Sequence, residues 1–281
     1  MDLNEYRMAS RERWGRVAAG WGAQRDLMWA ATARVSEWLV DALHLAPGQT
    51  VLELACGPGD TGLLAAERVR PGGRLIATDG AEAMVALVRE RAEQLGLDDV
   101  EPRLMDAEWI DLPAASVDAV VCRWGYMLLA DPGAALRETR RVLRPGRRVS
   151  LAAWAGPERN PWSSAIGLEL LGRGLMERPA PGDPGQFAWA DPAVITDHLE
   201  GAGFVDVELE TLELTFEYPD LDAWWDVQLD LAPTLAETVT GLTPAERDDL
   251  REALDARVAQ YVRPDGSVAL PAATHVAAAD A

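Results

Sequence analysis

The sequence of 281 residues contains 46 acidic and 26 basic side chains, and every basic one is an arginine because the chain has no lysine. The formal net charge is −20. The absence of lysine excludes Schiff-base and lysine-base chemistry, and so acidic a chain lacks the basic surface with which proteins bind nucleic acids. The length allows one large domain with a full hydrophobic core. No apolar run could span a bilayer and no signal peptide is recognisable, so we expect a soluble, cytoplasmic protein.

Acidic residues concentrate toward the C-terminus. From Asp183 onward, 21 acids stand against four arginines, a balance of −17. A solvated acidic surface that favours solubility is the simpler interpretation, and an acidic pocket for a cationic ligand is the alternative. The two cysteines, Cys56 and Cys122, form no metal-binding or disulfide pattern. We expect both to be small buried side chains in a reducing compartment.

The first 45 residues are predicted to be helical. Trp14, Trp21 and Trp29 recur with other apolar residues at spacings near three and four, and Pro47-Gly48 ends the segment. Residues 48–155 alternate between strand and helix patterns, which indicates βαβ units and a parallel sheet with right-handed crossovers. The predicted strands are 50–54, 74–78, 100–105, 117–122 and 147–154, and the predicted helices are 61–69, 81–96 and 133–143.

The pattern is less regular after residue 155. Residues 156–190 contain several prolines and glycines and are predicted to be an irregular connection. A helix near 191–202 and an alternating strand over 205–216 follow. Residues 220–263 are predicted to be helical, with a helix start at Thr243-Pro-Ala-Glu246, and 274–279 to be a last strand.

An apolar strand that runs into a glycine turn is the most informative feature of the sequence. The segment Thr50-Val-Leu-Glu-Leu-Ala-Cys-Gly-Pro-Gly-Asp-Thr61 precedes a second apolar strand, Leu75-Ile-Ala-Thr-Asp79, whose acid lies twenty residues after Gly59. Glycine positions let the backbone approach a ligand closely, and an acid at the next strand end suits ribose hydroxyls. The turn lacks the third glycine of dinucleotide sites. Glu53 on the strand would repel a pyrophosphate and attract an ammonium group.

With these residues and three further motifs, the sequence resembles the class I S-adenosyl-L-methionine (SAM) dependent methyltransferases. It is similar in particular to the small-molecule enzymes that include the quinone-biosynthesis C-methyltransferases. Ala55 stands where the family more often has glycine. The further motifs are Met105-Asp-Ala-Glu108, Val117-Asp-Ala-Val-Val-Cys-Arg-Trp-Gly-Tyr-Met-Leu-Leu-Ala-Asp-Pro132, and Leu136-Arg-Glu-Thr-Arg-Arg-Val-Leu-Arg-Pro-Gly146 with Val149-Ser-Leu-Ala-Ala-Trp154.

The resemblance implies an α/β fold. It implies a Rossmann-like, doubly wound and mostly parallel seven-stranded sheet of strand order 3-2-1-4-5-7-6, with an N-terminal helical lid and a helical insertion before the last strand. We expect the lid to cover residues 1–45, the SAM-binding core 46–218, the insertion or cap 219–264, and the final strand of the core 265–281.

The resemblance also implies SAM as the cofactor and S-adenosyl-L-homocysteine (SAH) as its product. Glu53 is expected to meet the SAM ammonium group directly or through water, and Asp79 to accept hydrogen bonds from both ribose hydroxyls. Asp106 is expected to accept one from the adenine amino group. The other expected cofactor contacts are Trp21, Ala55, Cys56, Gly57, Gly59, Gly80, Met84, Ala107, Glu108 and Arg123.

We expect a small acceptor, aromatic or otherwise planar, that is methylated on oxygen, nitrogen or carbon. Methyl transfer from a sulfonium is an in-line displacement, so alignment and exclusion of water supply most of the acceleration. Predicted acceptor contacts are aromatic side chains above the strand ends, Trp124, Tyr126, Trp154, Trp162, Trp224 and Trp225, and those of the N-terminal helices, Trp14, Trp21 and Trp29.

No catalytic residue is identified with certainty from the sequence. Arg123 and Tyr126 are the candidates, and an acceptor that needs a general base would require Tyr126 or a carboxylate. The three histidines, His44, His198 and His275, have no local partner pattern and are expected to be surface or hydrogen-bonded structural residues. No metal site is predicted.

Two alternatives stay open. One is an oxidoreductase that binds a nicotinamide dinucleotide on a Rossmann fold, and the other is a SAM-binding protein without methyltransferase activity. The expected partner is the small-molecule acceptor; neither nucleic acid nor a membrane span is expected, and a homodimer is left open.

Overall fold

A computed structural model describes residues 2–180 and 182–281. Met1 of the predicted lid and Pro181 of the predicted irregular connection lie outside the described residues. Within these ranges, no helix combines the length and the apolar character needed to cross a membrane.

One seven-stranded sheet forms the centre of the molecule. Its strands are β1 (Thr50–Glu53), β2 (Arg74–Asp79), β3 (Val100–Leu104), β4 (Val117–Arg123), β5 (Leu143–Trp154), β6 (Val205–Tyr218) and β7 (Val268–Asp280). The strand order is β3-β2-β1-β4-β5-β7-β6, in which β7 alone runs antiparallel to its neighbours β5 and β6. This order confirms the predicted doubly wound fold.

Ten α-helices are found in the described part of the chain. They are α1 (Leu3–Ala23), α2 (Arg25–Asp41), α3 (Asp60–Val69), α4 (Glu82–Leu95), α5 (Pro132–Val142), α6 (Pro161–Gly172), α7 (Pro192–Gly201), α8 (Leu221–Leu231), α9 (Pro233–Thr240) and α10 (Pro244–Val258). Helices α8, α9 and α10 lie between β6 and β7, which confirms the predicted helical insertion. The predicted capping box at Thr243 and Glu246 begins α10.

The central strands are apolar because helices cover both faces of the sheet. Leu52 of β1 is paired in register with Ile76 of β2 and Val120 of β4, and all three are fully buried. Parallel strands end at the same edge of a sheet, where open α/β folds place their ligands. The acids that end β1 and β2, Glu53 and Asp79, therefore lie at the same edge.

The two N-terminal helices differ in how firmly they are packed. Helix α2 buries Val35 and Leu39 completely, whereas α1 is polar over most of its length and buries only Val17 and Ala18. Ala18 packs against Met84 of α4 in a small separate apolar cluster. Because little apolar surface holds it, α1 belongs to the least stable part of the described structure.

Helix α6 corrects the prediction that residues 156–190 are irregular throughout. Pro161 occupies the first turn of α6, a position where its fixed φ angle and missing N–H favour a helix start. The helix buries Trp162, Ile166 and Leu170. The prolines of residues 156–190 predict breaks in regular structure, whereas Pro161 starts a helix.

The last strand is longer than predicted, since β7 begins at Val268 rather than at 274. The additional part contains Pro271, and proline cannot donate a hydrogen bond to a central ladder. In the structure β5 pairs with β7 only as far as Thr274, whereas β6 continues to Val268. Pro271 therefore lies where β7 has a strand on one side alone.

Gly20 allows α1 to approach α8 closely, because a Cβ atom at this position would lie 2.3 Å from the carbonyl oxygen of Asp230. We predict that Gly20→Ala lowers the free energy of unfolding, measured by urea denaturation, although alanine in a helix interior is favoured over glycine by roughly 0.5–1 kcal/mol. Gly15→Ala, in the same helix, is the matched control: no described atom lies within 4 Å of its Cβ position. It should stabilise the protein, and equal stabilisation by both substitutions would contradict the close contact.

Candidate functional site

A cavity of about 890 Å³ lies above the carboxyl ends of the strands. Known small-molecule sites have volumes of roughly 300–1,000 Å³, so this one has room for a cofactor and an acceptor together. The ends of β1, β2, β4 and β5 contribute Glu53, Asp79, Arg123 and Trp154. Helix α1 closes one side with Tyr6, Arg7, Ser10, Arg11, Trp14 and Trp21.

The structure brings nearly all the predicted cofactor residues together around this cavity. Those that line it are Trp21, Glu53, Ala55, Cys56, Gly57, Asp79, Gly80, Met84, Asp106, Ala107, Glu108 and Arg123. Gly59 is not among the described lining residues; it packs under helix α4, where a Cβ would lie 2.8 Å from Val88 Cγ2. Gly59 shapes the turn, because its φ of +84° lies in the left-handed region that favours glycine.

The turn after β1 takes a left-handed backbone at Ala55 (φ +49°) as well as at Gly57 (φ +52°). An L-residue adopts this region at some cost, whereas glycine adopts it freely. Gly125 leaves room for the Ala55 side chain, since a Cβ at position 125 would lie 2.6 Å from the Ala55 Cβ.

Glu53 is a buried carboxyl with one oxygen unsatisfied. Its Oε1 accepts a hydrogen bond from the Gly62 amide at 2.9 Å, and its Oε2 is enclosed without a hydrogen-bond partner among the described residues. Burial raises the pKa of Glu53 to about 8, against the lowering effect of the Gly62 amide and of the Arg123 charge. An approaching ammonium group would favour the ionised form.

Asp79 holds the glycine turn against the end of β2. Its Oδ2 accepts from the Gly57 amide at 3.0 Å and its Oδ1 from the Ala81 amide at 2.9 Å. Desolvation raises the pKa of Asp79, and the backbone amides oppose that rise. Each carboxylate oxygen has a second lone pair. Asp79 can therefore accept ligand hydroxyls while it keeps the turn in place.

Two arginines of α1 pair with the segment expected to lie near adenine. Arg11 Nη2 lies 2.6 Å from Asp106 Oδ2, and Arg7 forms an ion pair with Glu108. The other oxygens of these acids accept backbone amides: Asp106 Oδ1 from Glu108 and Glu108 Oε1 from Ala130, each at 2.9 Å. We call the two arginine contacts the α1 ion pairs. They hold the polar N-terminal half of α1 over the cavity.

Arg123 lines the cavity, but its charged group is engaged elsewhere. Its Nη1 donates to Thr32 Oγ1 at 3.2 Å and Ser36 Oγ at 3.0 Å on α2, and its Nη2 lies 4.0 Å from Asp60 Oδ2. Burial lowers the pKa of Arg123, and Asp60 and Glu53 oppose that change. The expectation of a catalytic Arg123 is corrected accordingly, because its hydrogen bonds join α2 to the sheet.

Three tryptophans form a continuous aromatic wall along the cavity. Trp124 stacks on Trp154 with ring centroids 4.1 Å apart, and Trp154 contacts Trp162 at 5.2 Å. All three line the cavity. Trp124 has a φ of +59°, an uncommon conformation for so large a residue, and its indole N–H donates to Thr274 Oγ1 at 2.9 Å. We call Trp124, Trp154 and Trp162 the tryptophan wall.

Three predicted acceptor residues are not among the described residues that line the cavity, which corrects the sequence-based expectation. Tyr126 is 1% exposed, and its hydroxyl shares a hydrogen bond of 2.6 Å with Thr139 on α5. It can act neither as a base nor as a contact for the acceptor from this position. Trp224 lies behind the wall, where its indole N–H donates to the Trp162 carbonyl at 2.8 Å, and Trp225 packs under Arg251.

Two further expectations concern tryptophan and histidine positions. Trp29 lies beside a separate small pocket with Arg25 and Asp60. None of the described lining residues is a histidine. His275 Nδ1 pairs with Thr211 and its Nε2 with the Ala190 carbonyl, both at 2.9 Å, as expected of a hydrogen-bonded structural residue.

Several lining residues were missed in the sequence. Helix α6 and the loop after it contribute much of the apolar surface, including Leu168, Leu171, Met176 and Phe187. Gln228 of α8 also lines the cavity. It lies on the buried face of that helix with Trp224, Val227 and Leu231. In the sequence, the position of Gln228 at the spacing of these apolar residues is the signal that could have identified it as a buried polar residue. In the described residues, no group of three or more His, Cys, Asp or Glu could hold a metal ion.

Comparisons with known proteins agree with this geometry. A family model described as a methyltransferase domain matches residues 51–146. Nocamycin O-methyltransferase from Saccharothrix syringae is 32% identical over 201 residues, which cover 67% of this chain and 71% of that protein. Demethylmenaquinone methyltransferase from Thermus thermophilus is 38% identical over 135 residues, or 47% of this chain and 56% of that protein. The YcgJ protein from Bacillus subtilis shares the fold, with 16% identity, a TM-score of 0.59, and coverage of 88% of this chain and 98% of that one.

These relatives define the class of protein. The chain belongs to the class I SAM-dependent methyltransferases, and its cofactor is SAM. The chain covers only 32% to 60% of the length of several other curated relatives.

The residues present fit SAM. The enclosed Glu53 Oε2 has no partner among the residues described, which suits an incoming ammonium group. The Gly57 Cβ position has no described atom within 4 Å, so the backbone there is open to close approach by a ligand.

We predict that SAH affinity rises with pH between about pH 6 and about pH 8, because Glu53 must lose its proton to pair with the ligand ammonium group. Below its pKa, each pH unit changes affinity by up to about tenfold. The measurement is calorimetric titration of wild type and Glu53→Gln over the pH range. The ligand's own titration is the same for both proteins, so the difference isolates Glu53, and parallel pH profiles would refute the assignment.

The same carboxyl affects stability. Because the folded pKa of Glu53 is raised from 4.5 to about 8, its contribution to the stability of the ligand-free protein is fully present below about pH 4.5 and lost as the pH rises through about 8. The pH profile of the melting temperature should therefore differ between wild type and Glu53→Gln in that window.

We predict that loss of the α1 ion pairs loosens α1. The double substitution Arg7→Gln and Arg11→Gln should speed amide hydrogen exchange in residues 3–15 by roughly threefold to thirtyfold, since each exposed or half-buried pair contributes up to about 1 kcal/mol. Arg103→Gln, which removes an ion pair with Glu101 on β3, is the control and should leave exchange in α1 unchanged. Unchanged exchange in the double variant would show that other contacts hold α1.

Proposed function

We propose that the protein transfers a methyl group from SAM to a small, planar and largely apolar acceptor that lies against the tryptophan wall. The observation that carries this proposal is a single cavity in which the motif residues of the cofactor site adjoin the wall of Trp124, Trp154 and Trp162. Flat aromatic surfaces bind planar ligands by stacking. Two relatives, nocamycin O-methyltransferase and demethylmenaquinone methyltransferase, have functions compatible with such an acceptor.

The chain's residues divide into cofactor holders and acceptor holders. Glu53 would hold the ammonium group, Asp79 the ribose hydroxyls and Asp106 the adenine amino group, and Met84 would pack on the adenine ring. Bound SAM supplies an electrophilic methyl carbon whose leaving group is a neutral thioether. The tryptophan wall would orient the acceptor, and α1, held by the α1 ion pairs, would exclude water from it.

The lining residues from α6, α8 and α9 supply no general base. They are all uncharged in the part of the chain that the structure describes. Two carboxylates that line the cavity, Glu177 and Asp183, lie on the loop after α6 and are the candidates for an acceptor that needs a base. The helices themselves suit an acceptor atom that is nucleophilic without help, such as an electron-rich ring carbon, a neutral amine or an already acidic hydroxyl.

A nicotinamide oxidoreductase is not favoured. The turn after β1 lacks the third glycine with which dinucleotide sites approach a pyrophosphate. A SAM-binding protein that does not transfer methyl groups is the second candidate, and binding and turnover measured separately will distinguish it.

The acceptor can be found without prior choice. Purified protein is incubated with trideuteromethyl-labelled SAM and a small-molecule extract of the source cells, and mass spectrometry identifies compounds that gain the labelled methyl group. Calorimetric titration with SAM, SAH and NAD is done in parallel. Binding of SAM without labelled product would favour the second candidate, and binding of NAD in preference to SAM would refute the proposal.

We predict that Asp79→Ala weakens SAH binding by about 2–3 kcal/mol, or roughly 30- to 150-fold, because two ligand hydroxyls lose their acceptor in a partly buried cleft. Calorimetric titration measures the affinity, and thermal unfolding checks that the variant remains folded. An affinity within about threefold of wild type would mean that Asp79 serves the turn alone.

A further inference from the structure

Gln228 is a polar side chain in an otherwise apolar part of the cavity, and its place in the structure is unexplained by packing. It is 2% exposed and lies on the buried face of α8. Its neighbours along that helix, Trp224 and Leu231, are also buried. Burying an amide side chain lowers the free energy of unfolding unless its polar atoms form hydrogen bonds.

The amide nitrogen of Gln228 is directed away from solvent. Nε2 and the Tyr218 hydroxyl are both enclosed, and neither has a hydrogen-bond partner of good geometry within the described residues. Burial raises the pKa of Tyr218, and the nearby Gln228 side chain opposes part of that rise. Gln228 nevertheless lines the cavity. Because Nε2 is enclosed, Oε1 is the polar atom that the side chain has for a ligand, and Oε1 can only accept a hydrogen bond.

The position of Gln228 relative to the tryptophan wall is set by one contact. Trp224, one helical turn earlier on α8, donates its indole N–H to the carbonyl oxygen of Trp162 at 2.8 Å. Trp162 is itself held by stacking on Phe216, with ring centroids 3.9 Å apart. Gln228 therefore belongs to a rigid part of the cavity next to the far end of the wall.

The helices that line this cavity offer no charge to a ligand. The lining residues of α6, α8 and α9 are uncharged among those described, for example Leu168, Leu231 and Leu235, and the charged lining residues Glu177, Arg178 and Asp183 lie on the loop after α6. An ion placed there would lose its hydration without gaining a partner. A neutral hydroxyl or N–H group of a ligand suits this place, because it donates a hydrogen bond to Oε1 and carries no charge.

We propose that Gln228 determines acceptor specificity by accepting, through Oε1, a hydrogen bond from a neutral hydroxyl or N–H group of a planar acceptor stacked on the tryptophan wall. The inference rests on the proposed function and narrows its acceptor class to uncharged hydrogen-bond donors. Gln228 touches the acceptor but moves no proton, because an amide oxygen is too weak a base.

The test uses two planar probes, 2-hydroxyfluorene and its methyl ether 2-methoxyfluorene, in which the added methyl group removes the donor. Their affinities for the full-length protein saturated with SAH are measured by equilibrium dialysis. Wild type should prefer the hydroxyl compound by on the order of tenfold, and Gln228→Met should reduce that preference to about twofold or less. Gln186→Met is the matched control: Gln186 also lines the cavity, but its Nε2 already donates to Ser163 Oγ at 2.8 Å. It should retain the preference.

Each outcome decides the inference. If wild type binds neither probe, binds both equally, or keeps its preference in Gln228→Met, Gln228 is not the specificity determinant. A melting temperature of Gln228→Met well below wild type, with both probes weakened alike, would show a structural role instead, because removing an unsatisfied buried amide should leave stability unchanged or higher. SAH binding in the same samples is a separate readout: its absence would refute the proposed function itself.

Discussion

The burial of one carboxyl group at the end of β1 is the constraint on which the rest of the site depends. Glu53 is 2% exposed, and it fits only because residue 62 is glycine: a Cβ there would lie 2.1 Å from Glu53 Oε2. The Gly62 amide that binds Oε1 is in the first turn of α3, so the carboxyl fixes where that helix begins. Thr61 in the same turn shares a hydrogen bond of 2.8 Å with Ser36 of α2. One buried acid thus sets the relative positions of a strand and two helices.

The cavity has two halves, one lined by acidic residues and one in which the helices contribute only uncharged residues. The half below α1 contains Glu53, Asp79 and Asp106, and these acids are suited to a cofactor with a cationic amino group and several hydrogen-bond donors. The half formed by α6, α8 and the tryptophan wall has only uncharged lining residues from its helices, within the described residues. Under the proposed function, the ligands would gain binding energy from ion pairing in one half and from stacking in the other.

The fold and the cofactor half could be predicted from the sequence because both depend on local patterns. Apolar runs ended by Glu53 and Asp79 identify parallel strands whose ends must meet, so spacing along the chain translates directly into position in space. The acceptor half depends on contacts between segments far apart in sequence. Nothing near Tyr126 indicates that its hydroxyl reaches Thr139. Likewise, the indole of Trp224 faces a carbonyl 62 residues earlier in the chain rather than the cavity. Aromatic residues are favoured both in a hydrophobic core and in a ligand site, so the residue type alone does not tell which of the two a tryptophan or tyrosine occupies.

Most of the negative charge of the C-terminal part lies on the surface rather than in the site. The exposed acids of β6 are matched by arginines from other elements, such as Glu213 by Arg159 and Glu217 by Arg263, and the side chains of Glu213 and Glu217 are 69% and 63% exposed. Exposed pairs of this kind add little stability but keep the protein soluble. None of the acids of β6 is among the described lining residues. Of the acids from residue 183 onward, Asp183 alone is among the described lining residues, so a cationic acceptor would find at most this one partner in the acidic C-terminal part of the chain.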